Sequence, residues 1–123
     1  MNSDLLGKAR QPSAPPPPPS FAAYDSGWVR ASNNRNMNLE FDHLLGVLPT
    51  QLMIFFSPDK QMSYAIHAVG QHVHGINPVS MWTDTQTLTL SIRYGDPLYR
   101  QWDGNRELWS HWSEGYFRVI ANP

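Results

Sequence analysis

The chain contains no cysteine in its 123 residues. That excludes disulfides, thiolate metal sites and a cysteine nucleophile. No apolar run approaches the roughly 18 residues a membrane-spanning helix needs, so no membrane insertion is expected. An excess of either charge is also missing: nine Lys and Arg against ten Asp and Glu leave a formal net charge of −1. Nucleic acid and anionic membrane surfaces are held by clustered positive charge, and neither partner is expected here. The first ten residues lack the apolar core of a secretory signal. There is no Gly-x-Ser-x-Gly elbow, no phosphate-cradling glycine loop and no long helical periodicity. What the chain has in quantity is proline and aromatics: 11 Pro, five Trp and 12% Phe, Trp and Tyr together.

The prolines divide the chain. Six of them fall between Pro12 and Pro19, ending in the run Pro15, Pro16, Pro17, Pro18 and Pro19. Such a run can be neither helix nor central strand and adopts an extended polyproline II spacer. Residues 1–23 are therefore predicted to be a proline-rich attachment arm and residues 24–123 a single small domain. In that domain the pattern is one of short strands. Gly27 to Ala31, Met37 to Phe41, Leu88 to Arg93 and Gly115 to Ala121 read as strands, and Gln51 to Phe56 is apolar enough to be a central one. Tyr64 to Val73, with Gly70 as a bulge, and Val79 to Trp82 complete the set. Six or seven strands at this spacing predict an all-β fold, a small antiparallel β-sandwich.

Tyr94 to Trp112 breaks the rhythm and reads as a connection, long enough to be functional. Sugar recognition needs a flat apolar face under the ring and polar groups for vicinal hydroxyls. Tyr99, Arg100, Trp102, Asp103, Asn105, Arg106, Trp109 and His111 supply both within thirteen residues. The competing reading is that the tryptophans cap the sandwich or fill a subunit interface, where aromatics and Arg are also enriched. His67, His72 and His74 form a second constellation. His72 and His74 share one side of a strand and could bind a transition metal if other chains added ligands; an ordinary polar strand end is favoured, and no metal or other cofactor is expected. Asp96, Asp103, Glu107 and Glu114 crowd the aromatic segment, but a sandwich this small seldom houses a cleft for a glycosidase pair. The chain is not expected to be an enzyme.

Tyr24-Asp25-Ser26-Gly27-Trp28, His43-Leu44-Leu45-Gly46-Val47-Leu48-Pro49, Phe55-Phe56-Ser57-Pro58-Asp59 and Gly115-Tyr116-Phe117-Arg118-Val119-Ile120 occur in that order. In this the chain resembles the β-sandwich modules of tail-fibre and minor virion proteins of tailed bacteriophages. Those modules are similar in turn to the H-type lectin fold, a six-stranded trimeric sandwich that binds N-acetylgalactosamine-type sugars. The matching motifs are framework by chemistry: Gly27 permits a tight entry to the first strand, and Trp28 is available as a core anchor. The resemblance therefore implies the fold and a homotrimer but no sugar specificity. It also implies a location on the virion, with the arm joining other virion proteins and the domain meeting a host-surface glycan or receptor. The alternative is a purely structural virion protein, such as a head decoration fibre or a tail or baseplate component.

Overall fold

A computed structural model gives the fold, and it describes residues 22–66 and 79–123. Among these residues every regular element is a strand: β1 (Tyr24–Asp25), β2 (Val29–Ser32), β3 (Met37–Phe41), β4 (Gln51–Ser57), β5 (Tyr64–Ile66), β6 (Ser80–Thr83), β7 (Leu88–Ile92), β8 (Tyr99–Asp103), β9 (Leu108–Trp112) and β10 (Glu114–Asn122). All pairings are antiparallel. The Pro15 to Pro19 run, His67, His72, His74 and the expected bulge at Gly70 lie outside the described residues.

β10 is the spine of the first sheet. It pairs along one edge with β4, which continues to β5, and along the other with β1 and β2 in succession. β1 and β2 are thus two stretches of a single edge, interrupted at Ser26 to Trp28. Gly27 takes φ +66° at the break, a left-handed conformation that glycine adopts without a Cβ penalty. Ser26 closes the ladder there: its amide donates to the Val119 carbonyl (2.9 Å), and its Oγ accepts from the Val119 amide (2.8 Å). The second sheet runs β3–β7–β6. Counted by position, the two sheets hold seven strands, the upper end of the number expected from sequence.

Strict alternation decides which side chains meet between the sheets. Ile54 and Phe56 of β4 face Val119 and Phe117 of β10, their register partners, and with Ala31 they pack on Phe41, Leu88, Leu90 and Ile92 of the other sheet. Each fully buried large side chain contributes about 1.5–3 kcal/mol of transfer free energy. The packing requires a glycine at 115. A Cβ there would lie 2.5 Å from Phe56 Cζ and 2.7 Å from the Ser57 carbonyl oxygen. Trp28, expected as a core anchor, is not in this core. It lies half-buried in the break before β2, with the Arg118 guanidinium 5.9 Å above its ring, and the inward positions of β2 go to Val29 and Ala31.

The largest departure from the sequence reading is Tyr94 to Trp112. It is no irregular connection: β8 and β9 pair with each other over five residues, as a ribbon outside both sheets.

Candidate functional site

Register fixes the two faces of the β8–β9 ribbon. Tyr99 opposes Trp112, Arg100 opposes His111, Gln101 opposes Ser110, Trp102 opposes Trp109 and Asp103 opposes Leu108. One face carries Tyr99, Gln101, Ser110 and Trp112. The other carries Arg100, Trp102, Trp109 and His111.

The first face is glued to the domain by aromatic contacts. The Tyr99 ring stacks on Phe56 (5.6 Å between centroids) and on Tyr64 (5.3 Å), and Trp112 lies 5.3 Å from Tyr64 and 5.8 Å from Phe56. Offset ring pairs of this kind add about 0.5–1.5 kcal/mol each beyond the area they bury. Tyr99 is only 6% exposed. Its hydroxyl is satisfied by Gln101 Oε1 at 2.7 Å, and burial, with the neighbouring Tyr64, pushes its phenol above the ordinary range. Its ring is a packing surface, closed to a ligand.

The turn claims three more of the sequence candidates. Asp103 Oδ1 accepts from the Asn105 amide (2.9 Å) and the Arg106 amide (3.3 Å). It closes the loop as Asp does in Asx turns. Glu107 completes the reversal with φ +53°. Asn105 and Arg106 are exposed at the tip, beyond the paired strands.

Four candidates remain, and the structure brings them together on the outer face. The Trp102 and Trp109 rings sit 5.5 Å apart at 56°, with 46% and 41% of their surface exposed. The Arg100 guanidinium lies 5.3 Å from the Trp109 ring centroid, within cation–π range. His111, across from Arg100, is exposed. Chemically this is an indole platform edged by a guanidinium and an imidazole: two apolar ring faces, with hydrogen-bond donors at one end.

The remaining described histidine is structural. His43 is 5% exposed. Its Nδ1 accepts from the Leu45 amide (3.1 Å), so Nε2 carries the proton and donates to the Asp84 carbonyl at 3.0 Å. It pins the loop after β3 to the β6–β7 turn, where Leu44 and Gly46 amides also donate to Gln86 and Thr85 carbonyls. That loop leaves Leu44, Val47 and Leu48 exposed at 68%, 48% and 59%. Among the described residues, no three His, Cys, Asp or Glu side chains are grouped to hold a metal ion.

Sequence reasoning missed an open concavity of about 680 Å³ on the second sheet, lined by Asn38, Ser80, Ser91 and Arg93 together with the apolar Met37 and Ile92. No local motif announces it, because its residues come from three strands that only the register aligns. No protein-family model matches the chain, and no curated protein matches it significantly in sequence.

Proposed function

We propose that the chain is a non-enzymatic attachment protein whose ribbon face of Arg100, Trp102, Trp109 and His111 binds a glycan. One observation carries this reading: two cross-strand tryptophans stand nearly half exposed on a ribbon whose other aromatics are packed away. Leaving a large side chain in water forgoes about 1.5–3 kcal/mol of burial. The C–H face of a pyranose stacks on such rings, and Arg100 and His111 stand where they can bind its hydroxyls.

The resemblance to bacteriophage tail-fibre modules supplies the setting: a receptor-binding component on the virion surface, assembled as a homotrimer. In that reading residues 1–23, with the spacer Pro15 to Pro19, join the domain to other virion proteins, and the glycan belongs to the host surface. The exposed Leu44, Val47 and Leu48 give self-association an apolar surface to cover.

The test is adhesion. Trp102→Ala in the full chain should weaken binding to host cells or purified surface polysaccharide by about thirtyfold, as loss of an anchoring aromatic does. Its melting temperature should stay close to that of the unchanged protein. If the substitution leaves adhesion intact but blocks particle assembly, the ribbon is a joint between virion proteins and the role is purely structural.

A further inference from the structure

The second sheet presents its outer face in rows. Antiparallel register aligns Ser80 of β6, Ser91 of β7 and Asn38 of β3 in one row, and Trp82, Thr89 and Glu40 in the next. Rows on one face stand about 6.8 Å apart, and three strands span roughly 9–10 Å. The first row is made of short polar side chains. The second has a 52% exposed indole at one end and an exposed carboxylate at the other, with Thr89 between them only 4% exposed. Beyond the first row stand Asn36, Arg93 and Asp96, which line the same depression. With the short first row, Met37 and Ile92 they enclose an open trough of about 680 Å³ whose lining stops short of the second row, and that volume falls in the range of small-molecule sites.

The hydrogen-bonding capacity of this trough is only partly used. Ser91 Oγ donates to Asn38 Oδ1 (2.7 Å), and Asn36 Oδ1 accepts from the Tyr94 amide (2.7 Å). Both bonds fix the amide oxygens, which leaves each Asn Nδ2 as the outward donor. Among the described residues, no ion pair engages Arg93 or Asp96. The Asp96 carbonyl and amide are tied by Asn33 Nδ2 and the Arg93 carbonyl, holding the two residues on one turn. The lining therefore offers amide and guanidinium donors, hydroxyls that do both, and a carboxylate acceptor. One cation and one anion give it no net charge to select a phosphate. A single lining carboxylate is too few for a metal ion. A mixed set of donors and acceptors with no net charge matches a neutral polyol.

We propose that this trough is a second ligand site, separate from the β8–β9 ribbon, that takes a neutral hexopyranose. Arg93, Asp96 and Asn38 bind vicinal hydroxyls, and Ser80 and Ser91 form the floor beneath the ring. The site does not depend on the ribbon's function, and the two can be told apart in one experiment.

Full-length, ¹⁵N-labelled protein is titrated in turn with the methyl glycosides of glucose, galactose and mannose at millimolar concentrations, with backbone amides and tryptophan indole N–H signals followed by NMR. The proposal expects at least one glycoside to give saturable shifts at Asn36, Asn38, Ser80, Ser91 and Arg93. Those shifts should weaken at least tenfold in Arg93→Gln and persist in Trp102→Ala. Arg93→Lys, which keeps the charge but not the fork of donors, should also weaken them. Three glycosides without saturable shifts at these residues overturn the proposal, as do shifts unchanged in both Arg93 variants. Shifts confined to the Trp102 and Trp109 indoles support the ribbon and overturn the trough; shifts confined to the trough support the trough, and the ribbon stands or falls on its adhesion test.

Discussion

The two faces of the β8–β9 ribbon are built from the same kinds of residue and come to opposite ends. Tyr99 and Trp112 are packed against Phe56 and Tyr64, whereas Trp102 and Trp109, on the same two strands, stand open. Composition does not separate them; parity does. Tyr99 and Trp102 are three residues apart, as are Trp109 and Trp112, and an odd spacing on a strand puts side chains on opposite faces. The ribbon belongs to neither sheet, so its attachment depends on the inner aromatics. The outer pair is left to contribute little to stability, which is the state a binding surface requires.

Substitutions can break that comparison, and the largest effect is expected on the inner face. Tyr99→Ala removes a ring held between Phe56 and Tyr64 and should lower stability by about 3–5 kcal/mol, read as a shift in the denaturant midpoint. Gly115→Ala should follow at about 1–3 kcal/mol, because its methyl collides with Phe56 and with backbone at Ser57 that cannot move aside. Trp102→Ala should cost about 1 kcal/mol or less, the size of one cross-strand aromatic pair. A cost as large as that of Tyr99→Ala would make the two faces equivalent and remove the basis for a binding role.

The smallest effect is electrostatic and sits away from the ribbon. Asp25 accepts two hydrogen bonds from Arg118, which hold its carboxyl below the ordinary range. The pair's stabilisation is present above about pH 4, where the unfolded carboxylate ionises, and is lost as pH falls through the lower folded value. Both side chains are more than a third exposed, so solvent screening keeps the contribution below about 1 kcal/mol. Asp25→Asn should flatten acid unfolding by that amount and leave the neutral-pH structure intact.

The sheets were legible in the sequence because their patterns are regular. Met37 to Phe41 alternates cleanly, Leu88, Leu90 and Ile92 share one face, and the Gln51 to Phe56 run is apolar enough for a central strand; each lies within one residue of the observed element. The ribbon was hidden by its two-sided aromatic pattern. Its apolar residues fall on both faces, so neither period two nor period 3.6 emerges, and Asp103-Gly104-Asn105 reads as loop when it is the turn of a hairpin. Eight residues of this segment stood out chemically, yet sequence could not say that Tyr99 would be packed and Asp103 spent on the turn. Nor could it see the trough on the second sheet, since Ser80, Ser91 and Asn38 become neighbours only through pairing.

The separation of packing from recognition on one ribbon is tested most directly by a double substitution. Trp102→Ala/Trp109→Ala, made in the full chain, is compared with the unchanged protein by thermal unfolding and by binding to an array of bacterial surface glycans. Unfolding should change by no more than about 1–2 kcal/mol, while binding to whichever array glycan the unchanged protein retains falls at least about thirtyfold. Undiminished glycan binding by the folded double variant, or collapse of the domain, would contradict the account.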